Sequence, residues 1–144
     1  MTAADAGLDC PVVERRHILA VEDELPTLML LEKILASAGY RVTGVRDGME
    51  ALKAVRTDPP DLVLLDLIIP GIDGYGVCAL LKRDRTFHAP IVILSGRTKE
   101  KDIRAAVDAG ADAFMTKPVD RLALLAKISE LLAVRSPSGT EELP

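Results

Sequence analysis

Several things are scarce in this 144-residue chain, and each scarcity excludes something. There are two cysteines, Cys10 and Cys78, with no CxxC spacing between them. That leaves no disulfide framework and no thiolate metal site, and it fits a reducing, cytoplasmic compartment. No apolar run approaches the roughly 18–20 residues that a membrane span needs, and the opening MTAADAGLDC has no apolar core for a signal peptide. No membrane partner is expected. Positive charge is in deficit: Lys+Arg 18 against Asp+Glu 22 give a net charge of −4 and a pI near 5.2. Nucleic-acid binding leaves a basic footprint, so no nucleic-acid partner is expected either. No HExxH, no Gly-rich phosphate loop and no Ser–His pairing is present, and the chain is not expected to be an enzyme.

What is present describes an ordinary globular domain, with 49% hydrophobic and 28% charged residues. A chain of this length can bury about 68–70% of its unfolded surface, enough for a core without disulfides. The ends differ from the middle. Residues 1–15 are small, acidic and unpatterned, and residues 135–144 (RSPSGTEELP) offer almost nothing to bury, so both are expected to be disordered. Residues 16–134 are expected to form one domain.

Within that domain the pattern alternates. Short apolar runs at His17–Val21 (HILAV), 62–65 (LVLL) and 91–94 (IVIL) are rich in β-branched residues and apolar on both faces, as buried parallel strands are. Residues 40–45 (YRVTGV) alternate and suit a half-exposed edge strand; Ala113–Thr116 (AFMT) is a weaker fifth strand. Helical stretches separate them. Residues 26–38 place Leu28, Leu31, Leu35 and Ala38 on one face, with Pro26 in the first turn and Gly39 at the stop. Gly48–Thr57 carries Ala51, Leu52 and Val55; 74–85 carries Val77, Leu80 and Leu81. Residues 99–109 turn Ile103, Ala106 and Val107 inward. After Asp120 a last helix shows the stripe Leu122, Leu125, Ile128 and Leu132, with a second apolar line of Leu124, Leu131 and Val134 expected to face away from the core. Five alternations of strand and helix specify an α/β doubly wound domain with right-handed crossovers.

Such folds place their sites outside the carboxyl ends of the strands, where strand order reverses. The first run ends in Glu22, Asp23 and Glu24, the 62–65 run in Asp66, the 91–94 run in Ser95, and the last strand in Lys117-Pro118. If the first and third strands are neighbours, Glu22, Asp23 and Asp66 converge and demand a cation. Hard oxygen ligands with positions left for water favour Mg²⁺. Ser95 adds a hydroxyl and Lys117 an ammonium, completing what phosphoryl transfer to a carboxylate requires.

At this point the chain resembles a response-regulator receiver domain of two-component signalling, of the single-domain chemotaxis-regulator type, over about residues 16–134. Four ordered motifs carry the resemblance: Glu22-Asp23 after HILAV, LVLLDLIIPGIDG around Asp66, IVILSGR with Ser95, and ADAFMTKP with Lys117. The resemblance implies a five-stranded parallel sheet of order 2-1-3-4-5. It implies Asp66 as phospho-acceptor, and Mg²⁺ held by Asp23, Asp66 and the backbone carbonyl of Ile68, with Glu22 acting through a bound water. Ser95 and Lys117 would grip the phosphoryl oxygens, Phe114 would be the switch aromatic, and Lys117–Pro118 a cis peptide. The donor would be a phosphohistidine on a histidine kinase or phosphotransfer protein, and the output binding to a downstream protein or relay of the phosphoryl group. With about ten residues after the last helix, a stand-alone regulator is expected. Departures from the family pattern are small: Glu-Asp where Asp-Asp is commoner, Phe114 where Tyr is frequent, and Val119 where an aromatic is common.

Plainer readings exist for each residue. Asp66 could cap a helix, Glu22 and Asp23 could be a solvated loop pair, Lys117 and Ser95 could be turn residues, and Phe114 could be core. His17 and His88 lack partners at ligand spacing and read as structural or surface; Cys78 reads as a small core hydrophobe. An aspartate-nucleophile phosphatase would need an acid two positions after Asp66, where Ile68 stands. A nucleotide- or flavin-binding module would offer N–H groups to phosphate at the first loop, which here reads Glu-Asp-Glu. A receiver-shaped adaptor that needs no phosphorylation is the remaining alternative.

Overall fold

Strands that are apolar on both faces need cover on both sides, and the alternating helices provide it. The computed structural model describes residues 15–134 except 97 and 98. The expectations for residues 1–14 and 135–144 lie outside the described residues. Elements follow in the order β1 (His17–Val21), α1 (Leu25–Ser37), β2 (Arg41–Val45), α2 (Gly48–Thr57), β3 (Leu62–Asp66), α3 (Gly74–Arg83), β4 (Ile91–Ser95), α4 (Glu100–Asp108), β5 (Ala113–Thr116) and α5 (Arg121–Val134). The strands form one parallel sheet of order β2-β1-β3-β4-β5. This is the flavodoxin-like doubly wound arrangement, with the strand-order reversal between β1 and β3.

Strand burial follows position in the sheet. All five residues of β1, β3 and β4 are buried, whereas the edge strand β2 is only partly covered. The core divides between the two faces. On one, Leu31, Ile34 and Leu35 of α1 meet Leu124, Ile128 and Leu132 of α5 over Ile18, Leu62, Leu64, Val92 and Leu94. On the other, α2, α3 and α4 cover Leu19, Val63, Leu65 and Ile93 with Ala51, Val55, Val77, Leu81 and Ala106. No described helix is long and apolar enough to cross a membrane.

Local signals set the helix ends. Pro26 sits in the first turn of α1, and the chain leaves that helix through Gly39 at φ +95°, a left-handed conformation that favours glycine. Asp47 caps α2 by accepting from the Glu50 N–H at 2.8 Å. Asp47→Ala should lower stability by about 1 kcal/mol in urea denaturation, the usual value of such a cap; no change would show that the cap is idle.

Four helical faces differ from the sequence reading. In α5, Leu122 is 75% exposed while Leu124 is fully buried, and Leu131 packs against the core. The helix is apolar nearly all round, so the 122-125-128-132 and 124-128-132 stripes fit helical spacing equally well. The expected outward line therefore does not exist as such, and the Val134 side chain lies outside the described residues. In α4, Ile103 and Val107 are exposed and the inward pair is Asp102 and Ala106. The helix is turned so that Asp102 meets Tyr75, whose hydroxyl donates to the Asp102 carbonyl at 3.1 Å. In α3 the inward residue is Cys78 rather than Leu80, which is exposed; burial pushes the Cys78 thiol up to about 11, so it stays protonated. Ala38 follows α1 as an exposed cap residue.

Candidate functional site

Parallel pairing fixes which residues share the carboxyl edge. Val21 is level with Leu65, so the next residues, Glu22 and Asp66, emerge side by side at the strand-order reversal. Asp66 pairs with Leu94, and Ser95 with Thr116, which places Ser95 and Lys117 on the far side of Asp66 from Glu22. The Lys117 N–H donates to the Ser95 carbonyl at 2.8 Å, and the Lys117–Pro118 peptide is cis.

The three carboxylates do converge. Glu22, Asp23 and Asp66 each offer an oxygen within 4.8 Å of the others'. Glu22 and Asp66 are buried, at 1% and 7% exposure, and Asp23 is the most open of the three. The Lys117 ammonium lies 2.6 Å from Glu22 Oε1 and 3.4 Å from Asp66 Oδ2. Asp66 Oδ1 accepts from the Ile68 N–H at 3.4 Å, bringing the Ile68 backbone to the same carboxylate. Ser95 is buried at 1% exposure. Phe114, level with Ile93, is partly buried and packs on the face covered by α2, α3 and α4. The loop between β4 and α4 contains residues 97 and 98, outside the described set.

The electrostatics are unbalanced. Burial raises the Glu22 carboxyl above its ordinary value, with the Asp66 charge adding to the rise and the Lys117 hydrogen bond opposing it. Burial alone would lower Lys117, but its hydrogen bond to Glu22 and the charge of Asp66 hold the ammonium above its ordinary value. One ammonium among three carboxylates leaves an excess of negative charge. That donor set fits a hard divalent cation such as Mg²⁺, which takes a few carboxylates and keeps its remaining positions for water or phosphate.

Two further parts hold the site, neither of them singled out as a site residue in the sequence reading. The β3–α3 loop is folded against backbone: a Cβ on Gly74 would lie 2.5 Å from the Asp66 carbonyl oxygen and 2.6 Å from the Leu67 Cα. Only glycine permits that approach. The second part is Arg46, whose guanidinium reaches the carbonyl of Asp23. The histidines stand elsewhere: His17 is buried at the opposite end of β1, 2.7 Å from Thr43 Oγ1, and His88 is exposed near the start of β4.

Comparison with known proteins gives a consistent picture. A family profile described as "Response regulator receiver domain" matches residues 18–129. The transcriptional regulatory protein TcrA of Mycobacterium tuberculosis is 40% identical over 125 residues, 87% of this chain and 49% of that protein. The chain thus spans about half the length of the curated relatives it matches. A putative response regulator from Chloroflexus aurantiacus superposes with a TM-score of 0.80 at 30% identity, over 83% of this chain and 99% of the other. The receiver domain of the sensor histidine kinase PA1611 from Pseudomonas aeruginosa, with a magnesium ion coordinated in its active site cleft, gives 0.78 at 28% identity, over 83% and 99% of the two chains. With this sheet order, and with the profile running from β1 into α5, the chain belongs to the receiver domains of two-component response regulators.

Proposed function

We propose that this domain accepts a phosphoryl group on Asp66 from a phosphohistidine of a histidine kinase or phosphotransfer protein, with Mg²⁺ as cofactor. It then signals through phosphorylation-controlled binding of a downstream protein, or passes the group on as a relay. One observation carries the reading: Asp66 ends the central strand with Glu22 and Asp23 within 4.8 Å of it and the Lys117 ammonium at 3.4 Å. The domain boundaries are 16–134 and the compartment is the cytoplasm.

Each residue has a task on this reading. An Asp66 carboxylate oxygen attacks phosphorus, the P–N bond to the imidazole breaks, and the imidazole nitrogen keeps that electron pair. Asp23, Asp66 and the Ile68 carbonyl would hold Mg²⁺, with Glu22 acting through water. When bound, the ion supplies positive charge opposite the incoming phosphoryl oxygens. Lys117, already drawn between Glu22 and Asp66, adds a second positive charge, and Ser95 donates its hydroxyl to the same oxygens. Phe114 is the aromatic whose packing responds. A phosphatase reading gains no support, because Ile68 cannot serve as a proton donor two positions after the nucleophile.

The test is incubation with acetyl phosphate and Mg²⁺, followed on a phosphate-affinity gel. A single retarded band that requires Mg²⁺ and disappears with EDTA is expected; no band under any condition refutes the reading. Mg²⁺ titration of two variants refines it. Asp23→Ala loses a direct ligand and should weaken Mg²⁺ by an order of magnitude or more, whereas Glu22→Gln loses only a water-held charge and should weaken it less. Unchanged affinity in both variants would place the ion elsewhere.

A further inference from the structure

Arg46 lies on the exposed turn between β2 and α2, outside the acceptor set, yet it grips the loop that carries Asp23. Its Nε and Nη2 groups donate to the Asp23 carbonyl oxygen at 3.2 and 2.8 Å. Its own backbone is fixed from the other side. The Arg46 N–H donates to Glu50 Oε1 at 3.0 Å, and the Glu50 N–H in turn donates to Asp47 Oδ1 at 2.8 Å. This is nearly a capping box, with the glutamate reaching one residue further back than usual. One residue earlier, the Glu22 N–H donates to the Val45 carbonyl at 3.1 Å. The β1–α1 loop is thus held by the end of β2 at two successive residues, Glu22 and Asp23.

The Asp23 carboxylate itself has no hydrogen-bond partner among the described residues. Where that carboxylate can reach depends on how its backbone is held, and the Arg46 guanidinium is the side chain that holds the Asp23 carbonyl. We propose that Arg46 is a positioning residue for the divalent-cation site: its charged, two-pronged contact orients the Asp23 peptide so that the carboxylate faces Glu22 and Asp66. A forked guanidinium suits this task better than an ammonium, because its donors have a fixed geometry. The inference rests on the reading that these carboxylates bind Mg²⁺.

Two effects of opposite sign separate this role from a merely electrostatic one. Deleting a positive charge next to an acidic cluster makes the cluster more attractive to a cation, although salt and solvent screen an exposed guanidinium strongly. Deleting an outer contact that orients a ligand weakens metal binding, typically 10–100-fold when the contact is made directly to the ligand group. Here the contact is to the ligand residue's carbonyl, so the lower end of that range applies.

The experiment is Mg²⁺ titration of the full chain followed by backbone amide NMR, for the unsubstituted protein, Arg46→Ala and Arg46→Lys. Arg46→Ala should weaken Mg²⁺ roughly tenfold. It should also shift the amide signals of Asp23 and Glu24 in the metal-free protein, while the metal-free melting temperature moves by about 2 °C or less, as for other exposed substitutions. Arg46→Lys, keeping the charge and a single donor, should fall between the two. Unchanged or tighter Mg²⁺ binding by Arg46→Ala overturns the proposal. Absence of Mg²⁺ binding by the unsubstituted protein overturns the reading of the site on which it rests.

Discussion

Asp66→Asn is expected to abolish phosphorylation by acetyl phosphate while leaving the fold intact or slightly stabilised. The carboxamide has the shape of the carboxylate but no anionic oxygen to attack phosphorus. Its carbonyl can still accept from the Ile68 N–H, so the turn after β3 keeps its contact. Removing the charge also relieves Glu22, whose carboxyl is pushed up by burial and then by Asp66. Loss of the retarded band, together with a melting temperature equal to or above that of the unsubstituted protein, is the expected pair of results. A band of normal intensity in Asp66→Asn would mean that another residue is the acceptor.

The largest effect on stability is expected from Gly74→Ala. The new methyl would collide with backbone, the Asp66 carbonyl at 2.5 Å and the Leu67 Cα at 2.6 Å, and neither can rotate away. The Gly74 N–H also holds the Leu67 carbonyl at 2.9 Å, so moving α3 outward breaks a bond as well. Overpacking of this kind costs about 1–3 kcal/mol or more. Gly76→Ala is the internal control. Its methyl would meet the Ile72 Cγ2 at 2.7 Å, a side-chain methyl rather than backbone, in a helix where alanine is favoured by up to about 1 kcal/mol. Urea denaturation should show a large loss for Gly74→Ala and a clearly smaller change for Gly76→Ala. Equal effects would show that crowding at the acceptor strand does not decide the matter.

The strand runs and the residues that end them were legible because both are local signals. HILAV, LVLL and IVIL are short, uniformly apolar and rich in β-branched residues, as buried strands are, and the chemistry placed after the first two converges because β1 and β3 are neighbours in a parallel sheet. The arrangement of helices was less legible. Leu122 and Leu124 are both leucines at helical spacing from Ile128, and only the sheet beneath decides which one is buried. Asp102 faces inward because Tyr75 of α3 waits there, a contact 27 residues distant in sequence. Likewise Lys117 and Glu22 are 95 positions apart, and nothing in either segment announces a 2.6 Å ion pair. Arg46 acts on a backbone atom distant in sequence, which leaves no trace in side-chain patterns, and Gly74 stood in the motif around Asp66 without its close backbone approach being readable there.

The uneven seating of the helices has a consequence for motion. α1 and α5 are anchored by large aliphatic side chains, each worth about 1.5–3 kcal/mol when fully buried. α4 buries Ala106 and the hydrogen-bonded Asp102, and leaves Ile103 and Val107 in solvent. A methyl group is worth only about 0.8 kcal/mol and the Tyr75–Asp102 hydrogen bond about 1 kcal/mol, so α4 is seated more lightly than α1 or α5. About 1.4 kcal/mol of preference at the carboxyl edge would change the ratio of two positions of such a helix tenfold. On the proposed function, firm seating of the α1–α5 face and light seating of α4 would let a small local charge event become a change in which surface the molecule presents.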